Sequence, residues 1–217
     1  MPDNPFEQDY FLTQYGGNYH RRNPPYKWRA FLKVIRGFRQ SGTLLDIGCA
    51  LGLFLQQARQ FYRCSGCDVS HYAIEQARAL LAPDVTFFQG ELGKLPASEQ
   101  YDIITCFDVL EHIPDLESAW QNLDDLLRPG GLLVLAVPVY DGPLGWLVKR
   151  LDSDPTHVHR RERLFWHQQA GQRFRILETF GIWRYFLLDR FYLNRVSPSA
   201  RHVATAIMLV CEKTPPL

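Results

Sequence analysis

Residues 44–55, Leu-Leu-Asp-Ile-Gly-Cys-Ala-Leu-Gly-Leu-Phe-Leu, set an apolar run, a turn of alternate small residues and an amphipathic run in immediate succession. Leu44, Leu45 and Ile47 suit a strand buried on both faces, as parallel strands are. Gly48, Ala50 and Gly52 keep the backbone of the turn open to close approach. Leu51, Phe54, Leu55 and Ala58 then recur at helical spacing, so the first amides of the helix point back into the turn. The unit reads as strand, turn and helix with a ligand site at the bend; a glycine turn without a ligand is the competing reading. A dinucleotide fingerprint would need small residues at 48, 50 and 53, and position 53 is Leu.

A chain of 217 residues makes one domain, 1–217, with a sizeable core. A hydrophobic content of 46% and a formal charge of +1 describe an ordinary globular protein and select no nucleic acid or membrane by bulk charge. Cys49, Cys64, Cys67, Cys106 and Cys211 are odd in number and lie in or beside strand patterns, which suits a reducing, cytoplasmic setting. Cys64-x-x-Cys67 has no second pair to complete a zinc site, so no metal is expected there. No stretch reaches the ~18 apolar residues of a membrane span, and the polar N-terminus lacks the order of a signal peptide.

In chain order, Tyr10, Phe11, Tyr15 and Tyr19 surround Gly16-Gly17, either a lid with aromatic faces or a loose tail. Trp28, Phe31, Leu32, Ile35 and Phe38 give residues 26–40 one apolar helical face. Seven basic residues and no acid lie between Tyr10 and Leu45, a solvated face or an attraction for an anionic substrate or surface. Phe61 to Val69 reads as a second strand with Asp68 at its end, twenty residues beyond Gly48, where a nucleoside-binding α/β fold places an acid against ribose hydroxyls. Ser70 is placed to cap the helix 71–81. Val85–Phe88 and Tyr101–Phe107 read as further strands, Asp115 caps a helix 116–128, Pro129-Gly130-Gly131 stops it, and Leu132–Pro138 is a fifth strand. Residues 163–171 read as a helix, 174–183 as a sixth strand and 202–213 as a last one. Tyr185, Phe186, Arg190, Phe191 and Tyr192 form the connection between them.

The run Asp46-Ile47-Gly48-Cys49-Ala50-Leu51-Gly52, Asp68, the segment Phe107 to Asp115 and the Arg-Pro-Gly-Gly turn resemble the motifs of class I S-adenosylmethionine-dependent methyltransferases, in the small-molecule group that includes ubiquinone and menaquinone methylation enzymes. Ala50 stands where such enzymes often carry Gly, and Glu91 where they carry Asp. The resemblance implies a Rossmann-like three-layer sandwich: a mostly parallel seven-stranded sheet, its last strand antiparallel beside the fifth, behind a helical N-terminal cap. Residues 1–40 would be the cap, 41–138 the cofactor half and 139–217 the substrate half, with a lid at 139–163. It implies S-adenosyl-L-methionine as cofactor, contacted by Asp46, Gly48, Cys49, Ala50, Gly52, Asp68, Val69, Glu91, Leu92, Phe107, Asp108 and Val109. Some quinone O-methyltransferases hold a divalent metal at positions matching Asp108, Glu111 and His112; metal-free relatives carry the same letters, and none is expected.

Such a chain transfers the sulfonium methyl to an oxygen, nitrogen or carbon of a small acceptor, anionic or lipid-linked. Alternatives are a non-catalytic S-adenosylmethionine-binding module and an RNA methyltransferase. His157 and His159, two apart in an extended segment, share a face and are the preferred bases; the competing reading has them hold the lid shut. His112 is a further candidate, as an imidazole titrates near neutrality, and Tyr140 a weaker one.

Overall fold

In the computed structural model, which describes residues 4–14, 16–95, 99–187 and 191–215, the chain builds one eight-stranded sheet flanked by helices. The helices are α1 (Gln8–Thr13), α2 (Tyr19–Arg22), α3 (Pro25–Phe38), α4 (Leu53–Ala58), α5 (His71–Leu81), α6 (Leu116–Leu126), α7 (Gly145–Leu151) and α8 (Arg163–Gly171). The strands are β1 (Thr43–Ile47), β2 (Arg63–Asp68), β3 (Thr86–Gln89), β4 (Tyr101–Phe107), β5 (Leu127–Pro138), β6 (Arg175–Leu187), β7 (Phe191–Ser197) and β8 (Ala206–Glu212). The sheet order is β3-β2-β1-β4-β5-β8-β6-β7.

Strands β1 to β5 pair parallel, and β8 runs antiparallel beside β5 from Leu132↔Glu212 to Pro138↔Ala206. Because β2 leaves β1 on one side and β4 joins it on the other, the strand order reverses there, and the crevice at those carboxyl ends is where open α/β sheets take ligands. Apolar side chains of both faces are buried: Leu44 packs with α3, α4 and α5, and Leu45 with α6 and the elements beyond it. Alternation of strand side chains also separates the Cys64-x-x-Cys67 pair. Three apart on β2, the two thiols enter opposite layers and cannot share a ligand.

Local chemistry sets the helix ends. The Ser70 hydroxyl accepts from the Ala73 amide at 3.1 Å and the Asp115 carboxylate from the Ser118 amide at 3.1 Å, satisfying first-turn donors. On α3, Pro25 opens the helix and Trp28, Phe31, Leu32 and Ile35 are buried, while Arg29, Lys33 and Arg36 face solvent.

Three expectations are corrected. The sheet has eight strands, because Tyr185, Phe186, Phe191 and Tyr192 belong to a β6–β7 hairpin instead of a connection. The mixed polar and apolar letters of β7 are those of an edge strand, which buries only one side. Arg190 and Tyr15 lie outside the described residues. Finally, α6 ends at Leu126, and Pro129-Gly130-Gly131 extends β5 backward, with the Gly130 amide donating to the Lys213 carbonyl at 2.8 Å.

Candidate functional site

A cavity of about 1090 Å³ opens over the carboxyl ends of β1, β2 and β4. Ligand sites run to about 300–1,000 Å³, so this one is at the roomy end of that range. Its floor is the turn after β1. Gly48 takes φ +68, and a side chain there would run into Val109. Ala50 takes φ +46, a left-handed conformation rare outside glycine and asparagine. Its amide is held at 2.8 Å by Asp68 Oδ2, while Asp68 Oδ1 accepts from the Ser70 amide at 2.9 Å. Gly48 and Cys49 amides both donate to the Cys67 carbonyl, at 2.8 and 3.0 Å, locking the turn onto β2.

Asp46 is buried on β1, accepting from the Thr105 hydroxyl at 2.6 Å. Burial, reinforced by nearby Asp68 and opposed by the Thr105 bond, pushes its carboxyl up to about 7. Burial also raises the Asp68 carboxyl, against the pull of the Ser70 and Ala50 amides. Val69, Leu92, Phe107 and Val109 complete the walls, with Glu91 at the exposed rim beside Lys94. Gly52 does not line the cavity. It takes φ +76, and a side chain there would stand 3.1 Å from Leu81 and 3.2 Å from Ala77, so it lets α5 pack closely.

The other end of the cavity is built from segments far apart in sequence. Asp108, beyond β4 at φ +57, receives both its carboxylate bonds from Nη1 of Arg184 on β6, each 2.6 Å. Burial would raise its carboxyl, but Arg184 and the Lys27 ammonium together hold it below the usual range. Aromatic rings surround this end. Phe107 meets Phe31 at 4.9 Å and Phe54 at 5.1 Å between centroids, and Phe11 meets Tyr19 at 5.3 Å. Sequence reasoning missed Lys27 and Arg184 as a pair. Signals existed: Lys27 stands four residues before Phe31 on the buried stripe of α3, and Arg184 stands two after buried Ile182 on one face of β6.

The N-terminal segment closes one side. Glu7 accepts from the His71 and Tyr72 amides at 3.0 Å each, at the start of α5, Asn4 Nδ2 donates to the Val69 carbonyl at 2.9 Å, and the Tyr10 hydroxyl donates to Asp154 Oδ2 at 3.0 Å. The last bond ties α1 to the segment beyond α7. Of the three histidines, only His112 lines the cavity. Its Nδ1 is engaged by the Thr156 hydroxyl at 2.9 Å, with Phe6 edge-on at 5.4 Å. His157 sits behind it, ring centroids 4.7 Å apart, its Nδ1 on Asp152 Oδ2 at 2.8 Å beside the Tyr140 hydroxyl. His159 turns to the Ile113 carbonyl at 2.9 Å. The two therefore do not share a face: the segment between them is pinned by the Val158 and His159 amides, which both donate to the Glu111 carbonyl at 3.0 Å.

Among the described residues, Glu111, His112 and His157 bring potential metal-ligating atoms within 4.8 Å of one another. Burial, reinforced by Asp108, pushes the Glu111 carboxyl well up, and Asp108 itself is taken by Arg184.

Comparison with known proteins agrees with this geometry. A family profile described as a methyltransferase domain matches residues 19–190. Among curated relatives, the ubiquinone biosynthesis O-methyltransferase of Alkalilimnicola ehrlichii is 34% identical over 106 residues, 46% of this chain and 43% of that protein. The enzyme of the same name from Aeromonas salmonicida is 31% identical over 135 residues, 54% of this chain and 55% of that protein. The chain thus spans about half the length of the curated relatives it matches. Among solved structures, a chain of the complex between the Haloferax volcanii Trm112 methyltransferase activator and a methyltransferase superposes with a TM-score of 0.74 at 15% identity, covering 95% of this chain and 97% of that one. A SAM-dependent methyltransferase from Thermotoga maritima gives 0.70 at 15% identity, covering 94% and 96%. At such identities the structures speak for the fold, while the family match spans most of the sequence. With its strand-tip carboxylates, small-residue turn and switch-point cavity, the chain belongs to the methyltransferase-domain family, as a class I member of the kind that uses S-adenosylmethionine as methyl donor.

Proposed function

We propose that the chain transfers the methyl group of S-adenosylmethionine to a hydroxyl oxygen of a small, flat acceptor. The cofactor supplies a methyl already activated on a sulfonium. The residues of the β1 and β2 tips fit it. Each carboxylate oxygen of Asp68 keeps a second lone pair beside its bond to the Ala50 or Ser70 amide, enough for two ribose hydroxyls. Buried acids, Asp46 and Asp68, suit a ligand that carries positive charge. Gly48, Cys49 and Ala50 would form the floor beneath it, Val69, Leu92, Phe107 and Val109 its walls, and Glu91 a rim contact.

One observation carries the reading: a single cavity joins an acid-rich end over β1 and β2 to an end with an aromatic surround and paired cations at Asp108. The aromatic rings suit a flat acceptor body, and Lys27 with Arg184 suits an acceptor oxygen that gathers negative charge or an acceptor that is already anionic. The curated relatives being O-methyltransferases supports oxygen as the acceptor atom. Holding donor and acceptor in line can supply about 7–11 kcal/mol, and a positioned base adds only 10²–10⁴-fold. Side chains of α1 and α3, which line the cavity with the strand tips, would do that holding. His112 and His159 tie the 152–161 segment to the turn after β4 through Thr156 and the Ile113 carbonyl, and Asp152 orients His157.

Two measurements test this. Titration calorimetry is expected to show S-adenosylmethionine binding, and methyl-labelled S-adenosylmethionine is expected to label a compound in a metabolite extract. Absence of binding at millimolar cofactor would overturn the reading.

A further inference from the structure

Lys27 is the one basic residue of α3 that turns inward. It is 4% exposed, on the stripe that carries Trp28, Phe31 and Ile35. Its Nζ lies on the cavity wall 4.2 Å from the Trp28 ring and 5.8 Å from the Phe31 ring. It donates to Asn23 Oδ1 at 2.8 Å. Asn23 cannot present its other end, because its Nδ2 donates to the Tyr19 carbonyl at 3.0 Å. Among the described residues, the charged groups that act on Lys27 are Arg184 on β6 and Asp108 beyond β4, Asp108 in turn interacts with Glu111 and His157, and Arg22 on α2 also lines the cavity.

The electrostatic balance is readable. Burial, then the Arg184 cation, push the Lys27 amine down to about 7, against Asp108, which pulls it up. The Trp28 and Phe31 faces favour the charged form and oppose part of the burial cost. Near neutrality a large share of Lys27 is therefore the neutral amine. Such an amine donates to Asn23 and carries a lone pair that can accept a proton, which the ordinary lysine charge state cannot do.

The geometry points to Lys27 as the general base that takes the proton of the acceptor's hydroxyl as the oxygen is methylated. The inference rests on the methyl-transfer reading above. In the step, the O–H proton passes to the lone pair of Lys27 Nζ. The oxygen uses the electron pair so released to bond the methyl carbon, and the pair of the broken carbon–sulfur bond stays on sulfur. The proton then leaves Lys27 for solvent when the product departs. Arg184, anchored on Asp108, favours the negative charge that gathers on the oxygen meanwhile. No residue outside the cavity is needed, and no oxidant or metal enters.

Competitive labelling of the full chain with trace acetic anhydride across pH, read by peptide mass spectrometry, tests the charge state directly, since only neutral amines react. Lys27 is expected to titrate with a midpoint at about 7, well below the ordinary lysine value of about 10. Arg184→Met is expected to raise the Lys27 midpoint by removing a like charge, and Asp108→Asn to lower it. A midpoint above pH ~9 in the unsubstituted chain would overturn the inference. Methyl incorporation into a metabolite extract tests the role. In the unsubstituted chain it should rise with pH through about 7. Lys27→Met should lose about 10²–10⁴-fold of it together with that pH limb, Lys27→Arg should not restore it, and cofactor affinity by calorimetry should stay within about threefold in both. Full incorporation by Lys27→Met would also overturn the inference. Failure of the unsubstituted chain to bind S-adenosylmethionine would instead overturn the transfer reading, and the labelling midpoint tells the two failures apart.

Discussion

Asp46, Asp68 and Asp108 stand at the carboxyl ends of β1, β2 and β4 and line one cavity, yet their carboxyls move in opposite directions. Burial raises Asp46 and Asp68, with hydrogen bonds but, among the described residues, no cation holding them. Asp108 feels burial too, and Arg184 and Lys27 override it. One end of the cavity is thus an acid-rich seat for a cationic ligand, and the other a cation-rich seat for an oxygen becoming negative. The difference lies in how the ends are assembled. The β1–β2 end is held by amides within a few residues of the turns, while the β4 end depends on α3 and β6 arriving from elsewhere in the chain. The charges that shift Lys27, Arg184 and Asp108, belong to the β4 end, so the two ends are expected to titrate independently.

Asp68→Ala should give the largest effect and tests that independence. It removes the acceptor of the Ala50 and Ser70 amides together with the bonds offered to a ribose. With charge-assisted bonds worth about 1.5–3 kcal/mol each, the S-adenosylmethionine Kd should rise about 100-fold or more by calorimetry, while the Lys27 labelling midpoint stays where it is. A shift of that midpoint alongside the lost affinity would show the two ends to be one coupled unit and break the comparison.

The same contrast governs what could be read from the letters alone. Strands β1 to β4, the caps at Ser70 and Asp115 and the acids at 46, 68 and 108 are legible because each depends on neighbours within a turn or on a fixed alternation of strand and helix. The edge strand β7 is not, since it carries no buried run, and neither is the histidine pair. An extended segment would align His157 with His159, but Glu111 accepts both local amides and twists the segment, sending one ring to Asp152 and the other to Ile113. Lys27 and Arg184 were legible singly, as an inward position on a helical stripe and an inward position on a strand. That they meet at Asp108 follows only from the packing of α3 and β6 around β4.

Asp46→Asn sharpens the comparison from the side of stability. The Asp46 carboxyl moves from its ordinary 3.8 to about 7 in the fold, so the protonated form is favoured by folding. That contribution is complete below pH ~4 and is lost as pH rises toward about 7, leaving a buried charge above it. Asn is neutral throughout and still accepts from the Thr105 hydroxyl. Urea unfolding should therefore find Asp46→Asn more stable than the unsubstituted chain by about 2 kcal/mol at pH ~8, with the gap shrinking toward pH ~5. A gap of the same size at both pH values would mean that burial is not what raises this carboxyl. The variant should also bind S-adenosylmethionine more weakly, a loss of function beside a gain in stability.

The smallest effect concerns backbone strain, where the two ends again differ. Ala50 and Asp108 both hold positive φ, +46 and +57, against a left-handed cost of about 1–2 kcal/mol for a residue with a side chain. At Asp108 the carboxylate that Arg184 grips offsets the cost, and glycine there would lose the grip with the strain. At Ala50 the bond to Asp68 comes from the backbone amide, so the methyl contributes nothing to it. Ala50→Gly should relieve the strain while widening the unfolded ensemble by about 0.4–1 kcal/mol, for a net gain in stability below about 1 kcal/mol and a melting temperature higher by about 1–3 °C. Cofactor affinity should change by less than about threefold, because the amide still meets Asp68. A fall in melting temperature would mean that the methyl packs against something the turn needs, and that the strain of the β1 end, like that of the β4 end, is held by side-chain contact.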